Sequence, residues 1–337
     1  MAGSRPTLAD IAEAAGVSVP TVSKAIAGRS DVAQKTRQRV LEAMHDLGYL
    51  ARPTWGGGDR HGVIELLIGG IGSLWAIEIV RGAEDAAARY GKSLVLTNAN
   101  REGFSIDDWI DATLSHKAAG AIIATTQASD GFARLVAAGI PIVRLDSLGV
   151  AGTGEAQVGA TNWAGMRSAT QHLLDLGHTR IGLIGGKPGT PVAHDRFEGY
   201  SAALRRAGIP VDPALTFDGD FMVAGGEAGA QALLDLEDPP TAIAAASDLE
   251  AMGVYHVAQA RGLRIPDDLS VVGFDDTLLC EYLSPPLTTV RQPLAQMAEQ
   301  TVRLLMDHIH DGPPAHSRIE LSTVLVERSS TGVPAQR

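Results

Sequence analysis

Two sets of residues in this chain have types and positions that could do chemistry. In the first, Lys24 ends a hydroxyl-rich stretch, Ser18-Val-Pro-Thr-Val-Ser-Lys24. An ammonium there can donate to guanine O6 and N7, and hydroxyls beside a helix N-terminus suit phosphate oxygens. The second set lies at strand ends and the turns after them: Ser73, Leu74, Trp75, Thr125, Thr126 and Asp146, then Arg196, Phe221, Ser247, Asp248 and Asp275. A carboxylate accepts hydroxyl protons, a guanidinium offers a fork of donors, and an aromatic face packs against C–H groups. That is chemistry for holding a neutral polyol. Aromatic residues make up only 4% of the chain, which gives Trp75 and Phe221 extra weight, with core packing as the alternative for both.

The elements that must position the first set are short. Leu8, Ile11, Ala12 and Ala15 recur at helical spacing and define one buried face. Gly16 marks a tight turn. Ser18 is a natural N-cap, and Pro20 falls in the first turn, where a missing N–H costs nothing. Val22 and Ile26 give the second helix an apolar edge. Two helices joined at a glycine form a helix-turn-helix, whose second helix can enter a major groove. For Ser18 and Thr21, capping and phosphate contact can coexist. A third amphipathic helix is expected over about 34–47, with Val40, Leu41, Met44 and Leu47 inward and Gly48 ending it.

Charge follows the same division. The whole chain carries −11, yet residues 1–60 hold eight Lys/Arg against six Asp/Glu. Phosphate attraction is therefore confined to the head, and the acidic body repels DNA. Between them lies Arg52-Pro-Thr-Trp-Gly-Gly-Gly-Asp-Arg60, a linker by composition.

From Gly62 onward apolar strands and helical periods alternate. Strands are expected at 63–68, 94–96, 121–124 and 142–145, then at 181–184, 242–245 and 270–273. Such alternation implies parallel sheets covered on both faces. The fold class is an all-α helix-turn-helix head plus an α/β core of two doubly wound parallel-sheet subdomains. Ligands of such sheets bind beyond the strand carboxyl ends, here in the cleft between the subdomains.

Other chemistry is disfavoured. Cys280 is the one cysteine, which excludes an internal disulfide and a multi-cysteine metal site and fits a reducing cytoplasm. No N-terminal apolar run has signal-peptide length, and none approaches the ~20 residues of a membrane span. The chain is expected to be cytoplasmic, with no membrane partner. Gly185-Gly-Lys-Pro-Gly-Thr190 lacks phosphate-loop spacing and reads as a strand-to-loop turn. His172 and His178 have poor metal geometry across a glycine. Asp107-Asp108 reads as a helix start and Asp276 as a helix cap. No catalytic constellation, metal or cofactor is expected.

Thr7-Leu-Ala-Asp-Ile-Ala12, Ala15-Gly-Val-Ser18 and Thr21-Val-Ser-Lys24 occupy the head. Leu176-Gly-His-Thr-Arg-Ile-Gly182, Arg196-Phe-Glu-Gly-Tyr200, Ile265-Pro-Asp-Asp-Leu-Ser-Val-Val-Gly-Phe-Asp-Asp276 and Pro286-Leu-Thr-Thr-Val-Arg-Gln-Pro293 follow in the body. With these motifs the chain resembles the lac/gal repressor family of transcription regulators along nearly its full length. The resemblance implies a dimeric repressor whose periplasmic-binding-protein-like core senses a small molecule, commonly a sugar. It puts base-reading positions on Val19, Pro20 and Lys24, and phosphate contacts on Thr7, Ser18, Thr21, Ser23 and Thr36. It also marks Arg196 and Asp275 as ligand contacts. The expected ligand set is Ser73, Trp75, Thr125, Asp146, Arg196, Phe221, Ser247 and Asp275.

The linker departs from the family. Members usually follow Tyr-x-Pro with a short Asn-rich helix whose Leu wedges into the minor groove. Here the sequence is Tyr49-Leu-Ala-Arg-Pro-Thr-Trp-Gly-Gly-Gly58. Each glycine opposes helix by ~1 kcal/mol relative to alanine, so the hinge helix and wedge are expected to be absent or altered.

Residues 1–50 are read as the DNA-binding head and 51–61 as the linker. Residues 62–160 with about 292–318 are read as the N-terminal core subdomain, and 161–291 with about 319–330 as the C-terminal one. The expected function is a ligand-responsive repressor of carbohydrate-utilisation genes. It would bind a pseudo-palindromic operator as a homodimer, nucleoid-associated when bound, and be released by a sugar or oligosaccharide. A purine-like corepressor and a sugar-binding transport protein are the alternatives. Dimer contacts are expected on first-subdomain helices, including 77–90.

Overall fold

A computed structural model describes residues 7–26, 32–46, 61–125, 127, 129–146, 156–312 and 318–335. The chain divides into two units, Met1–Gly62 and Val63–Arg337. The linker reading, with its altered hinge helix, lies outside the described residues, as does Thr126.

In the first unit three helices enclose a small core. α1 (Leu8–Ala15) starts at a reciprocal cap: Asp10 N donates to Thr7 Oγ1, and Thr7 N donates to Asp10 Oδ2 at 2.6 Å. Gly16, at φ 61°, ends it in the left-handed conformation that glycine adopts without strain. Thr21 N donates to Ser18 Oγ at 3.3 Å, opening α2 (Val19–Ile26). α3 is Gln34–Asp46. Ile11, Ala12, Ala15, Val22, Ala25, Val32, Val40 and Ala43 are buried between them. Leu8 packs at the edge, and Ala25 joins Val22 on the inner face of α2. The side chains of Ile26, Leu41 and Met44, and residues Leu47 and Gly48, lie outside the described residues.

The second unit holds two six-stranded sheets. The first comprises β1 (His61–Ile68), β2 (Ser93–Asn98), β3 (Ala118–Ala124), β4 (Ile142–Leu145), β5 (Ala156–Ala160) and β11 (Arg318–Leu321), in the order β11-β5-β4-β3-β1-β2. The second comprises β6 (Ile181–Gly185), β7 (Thr216–Asp218), β8 (Ala242–Ala245), β9 (Ser270–Asp275), β10 (Thr288–Arg291) and β12 (Val324–Val326), in the order β12-β10-β9-β8-β6-β7. Every residue of β3 and of β9 is buried, because helices cover both faces. α4 (Leu74–Arg89) and α11 (Leu294–Asp311) pack on one face of the first sheet through Ile64, Leu66 and Ile122. α5 (Ile106–His116) and α6 (Phe132–Ala137) pack on the other through Leu67, Ala121 and Ile123. In the second sheet α7 (Asn162–Asp175) and α8 (Pro191–Arg206) oppose α9 (Val223–Leu234) and α10 (Asp248–Ala260).

The two parallel-sheet subdomains are as expected, with the edge strand β12 running antiparallel to β10. One boundary is corrected. The final passage between subdomains falls later than about 318. β11 pairs with β5 over Arg318–Leu321, so residues 319–321 belong to the first sheet. Both details involve short edge strands, where too few residues show a period. No helix among the described residues is long and apolar enough to cross a membrane.

Candidate ligand cleft and nucleic-acid interface

A cavity of about 510 Å³ opens between the two sheets of the second unit. Ser73, Trp75, Thr125, Asp146, Arg196, Phe221, Ser247 and Asp275 all line it, with Leu74 and Asp248 beside them. The convergence has a simple origin: parallel strands end on the cleft, and β1, β3, β4, β8 and β9 deliver Ser73, Thr125, Asp146, Ser247 and Asp275 at or just after their ends, while Arg196 comes from α8. β1 leads through Gly69 and Gly70 to Ser73, which accepts from Ala76 N and caps α4, setting Trp75 in the first turn. β8 leads to Ser247, which accepts from Glu250 N and caps α10. Among the described residues, five non-glycines have positive φ, and three of them are the cleft residues Asp146, Phe221 and Asp275. Strain of this kind concentrates where surrounding structure holds a functional geometry.

Arg196 is the centre of the second-subdomain wall. Its Nε donates to Asn162 Oδ1 at 2.9 Å and its Nη1 to Ala246 O, while Nη1 lies 3.8 Å from Asp275 Oδ1. The guanidinium carbon sits 3.7 Å from the Phe274 ring centroid and 5.5 Å from that of Phe221. With the Nε hydrogen and one Nη1 hydrogen engaged, the guanidinium keeps three further N–H groups, and Arg196 lines the cavity. Asp146 Oδ1 is buried and accepts no hydrogen bond among the described residues. The cleft thus offers an orphan acceptor beside a cation and two aromatic rings.

Both terminal segments of the chain match known families. Residues 7–51 match the model for bacterial regulatory proteins of the lacI family, and 170–331 match a periplasmic binding protein-like domain. The chain is 32% identical over 342 residues to the HTH-type transcriptional repressor CytR of Escherichia coli (strain K12), covering 96% of each chain. The chain belongs to the lacI family of bacterial regulatory proteins. Among solved structures, this lacI-family regulator is similar to a CelR–cellobiose complex, with 33% identity, TM-score 0.75, and 97% of this chain and 100% of that one covered. It is also similar to a lac repressor dimer bound to operator and the anti-inducer ONPF, with 28% identity, TM-score 0.83, and coverage of 97% and 99%.

Electrostatics separates the carboxylates of this lacI-family core. Asp248 is consumed internally: Thr277 N and Oγ1 donate to Oδ2 at 2.7 and 3.0 Å, and Thr289 Oγ1 donates to Oδ1 at 2.6 Å. Burial pushes the Asp275 carboxyl well above its ordinary value, opposed by Arg196. Burial likewise raises Asp146, with Arg196 again opposing. Asp276 is not a helix cap, as its sequence position suggested. It is paired with Arg291, and Arg328 Nη2 lies 2.7 Å from its Oδ1. Thr277 instead begins the short 3₁₀ turn that follows.

The sequence reading missed Glu250, which is fully buried. Its Oε1 accepts from Asp220 N at 3.0 Å and Phe221 N at 2.8 Å, and Ser247 Oγ lies 3.1 Å from Phe221 O. These bonds hold Phe221 in its left-handed turn. Burial pushes the Glu250 carboxyl up to about 8, against the pull of the Phe221 and Asp220 amides and Arg196. The spacing Ser247-x-x-Glu250 is a capping-box signature that could have revealed it. Asn98, Asn100, Gln127, Lys187, Asp220 and Met222 also line the cavity. Asn98 is the last residue of β2 and was within reach of the strand-end rule. The Gly185–Thr190 segment is a turn into α8, where Ala193 N donates to Thr190 Oγ1 at 3.3 Å. Its Gly186 admits the Phe221 ring, because a Cβ there would lie 1.9 Å from a ring carbon.

In the head, α2 presents Val19 (42% exposed), Pro20, Ser23 and Lys24 on its outer face. Ser18 and Thr7 are exposed, while Thr21 and Thr36 are half-buried. Ser18 Oγ and Thr21 Oγ1 are 2.8 Å apart, so their hydroxyls already serve the helix start.

Proposed function

We propose that this lacI-family regulator is a cytoplasmic repressor of carbohydrate-utilisation genes, released when a neutral sugar or oligosaccharide fills its cleft. It works as a switch, with no chemical turnover. The observation that carries the reading is the cleft itself: Arg196 between two phenylalanine rings, with Asp146 and Asp275 as acceptors. A polyol supplies donors to the carboxylates, an acceptor for the guanidinium, and C–H faces for Phe221 and Trp75. The cellobiose held by the similar CelR regulator agrees with this chemistry.

At the DNA, the outer face of α2 enters the major groove, with Val19, Pro20 and Lys24 at base edges. Thr7, Ser18, Thr21, Ser23 and Thr36 contact phosphates. The chain acts as a two-fold homodimer on a pseudo-palindromic operator, as the similar lac repressor dimer does on its own. Ile77 (52% exposed) on α4 and Val95 and Leu96 on edge strand β2 offer the apolar surface for that dimer.

A mobility-shift titration on the DNA upstream of the protein's own gene, with and without cellobiose, tests the reading. Binding at low salt and release by the sugar are expected. Failure to bind any such DNA overturns it. Lys24→Ala is expected to lower discrimination by about 1–3 kcal/mol at one base position per half-site. A uniform loss on all sequences would assign Lys24 to phosphate instead.

A further inference from the structure

The backbone passes between the two sheets three times, at Thr161, at Gln292–Pro293 and at Ser322–Thr323. We propose that Asn162 and Gln292 tie the pair Arg196–Asp275 to the first two passages, so that occupancy of the cleft is transmitted as a change in subdomain angle. The proposal rests on the cleft being the effector site.

Asn162 follows the first passage directly. Its amide donates to Ala160 O, the end of β5 in the first sheet, at 3.2 Å. Its Oδ1 accepts from Arg196 Nε at 2.9 Å. One side chain therefore spans the first sheet and the central arginine of the cleft. Gln292 lies in the second passage itself and bonds to the second subdomain. Its Nε2 donates to Asp275 Oδ1 at 2.7 Å, and its backbone N to Asp275 O at 3.2 Å. Arg196 Nη1, 3.8 Å from Asp275 Oδ1, closes the circuit. The connection runs from Asn162 through Arg196 and Asp275 to Gln292.

All four side chains are buried, at 3%, 2%, 8% and 4% exposure in that order. Buried polar groups have few other partners, so a shift in one is passed to the next. The third passage is wired differently. Thr323 N donates to Thr161 Oγ1 and Thr161 N to Leu321 O, both at 2.9 Å, which joins it to the first passage. It serves as a pivot. Gln292 Oε1 adds a second observation: it is buried and accepts no hydrogen bond among the described residues. An orphan acceptor inside a hinge marks an arrangement that a small rotation can improve.

Asn162 and Gln292 are positioning residues, acting through Arg196 and Asp275. The test uses the full chain with spin labels at Val136→Cys and Gln259→Cys, exposed sites on the first and second subdomains. Cys280 is buried and stays unlabelled. The inter-subdomain distance is read across a cellobiose titration carried to saturation. The unaltered hinge is expected to shift on binding, and the saturated shift to fall by at least half in Asn162→Leu and in Gln292→Met. Asn162→Asp keeps the acceptor for Arg196 and should restore it. Gln292→Glu, which removes the donor but keeps the shape, stands in if Gln292→Met fails to fold. A full saturated shift reached at higher cellobiose would overturn the proposal, making both residues props of the binding site alone.

If cellobiose leaves the unaltered hinge unmoved, the sugar reading fails, and a ligand-free cycle decides the coupling. Arg196→Lys should then change the resting distance in the unaltered hinge but add nothing in Gln292→Met. Additive changes would overturn the coupling.

Discussion

The two walls of the cleft are built on different principles. On the first subdomain, Asp146 apart, the polar groups are neutral and tied into their own turns. Asn98 Oδ1 accepts from Asn100 N at 2.9 Å, Thr125 Oγ1 accepts from Gln127 N at 3.3 Å, and Ser73 caps α4. On the second, buried charges hold one another across distant parts of the chain, and Glu250, Ser247 and Gly186 fix the Phe221 ring over Arg196. The first wall is assembled from local turns that tolerate change. The second stands or falls as a network, because a buried charge without its partner is costly. Affinity and switching are therefore expected to depend on the second wall, and selectivity on the first.

Arg196→Ala should break this contrast most violently. It strands Asp275 and leaves Asn162 Oδ1 and Ala246 O without their donor, and breaking a buried pair costs about 3–5 kcal/mol. Urea denaturation of the variant should show that loss together with an absent effector response. A stability within error of the unaltered protein would place the second wall on the same footing as the first. Gly186→Ala is next. Its methyl cannot coexist with the Phe221 ring, so overpacking should cost about 1–3 kcal/mol, and calorimetry should show binding of the proposed sugar effector lost while the fold survives.

Acidity links the walls instead, with Asp146 on the first and Glu250 and Asp275 on the second. The Glu250 carboxyl, ordinarily near 4.5, is pushed up to about 8 by burial in the folded chain. Between those values the unfolded chain has released a proton that the folded one retains, so stability is fully present below the lower value and declines as pH rises through the higher. Asp146 and Asp275, also raised, act in the same direction. Thermal unfolding followed across that range should show the decline, and Glu250→Gln should flatten it while keeping an acceptor for the Phe221 amide. An unchanged slope in this variant would remove Glu250 as its source. The smallest effect belongs to the first wall: Trp75→Ala should weaken binding of the proposed sugar effector by about 1 kcal/mol, with the unfolding midpoint scarcely moved.

Legibility in the sequence followed the range of the interactions. The strand-end rule found Ser73, Thr125, Asp146, Ser247 and Asp275 because parallel strands in a doubly wound sheet deliver their carboxyl ends to one side. The helix starts read at Ser18 and at Asp107-Asp108 depend on neighbours three residues away and show in the local pattern: Thr21 N donates to Ser18 Oγ and Asp108 N to Ser105 Oγ. Asn162 and Gln292 lie at passages between sheets, where no period or cap singles them out. Asp276 looked like a cap because nothing near it announces Arg328, which arrives from the C-terminal segment.

The sequence by itself determined the head, the alternation that makes two sheets, and the residue types that meet in the cleft. Those depend on spacing along the chain and on hydrophobic periodicity. Only the tertiary structure decided which acids are left to act. Asp248 is spent on Thr277 and Thr289 and Asp276 on two arginines, while Asp146 keeps an orphan oxygen and Asp275 shares Arg196. The physical reason is that a buried carboxylate takes whatever donors the packed fold brings within reach, and those donors come from elements far apart in the chain.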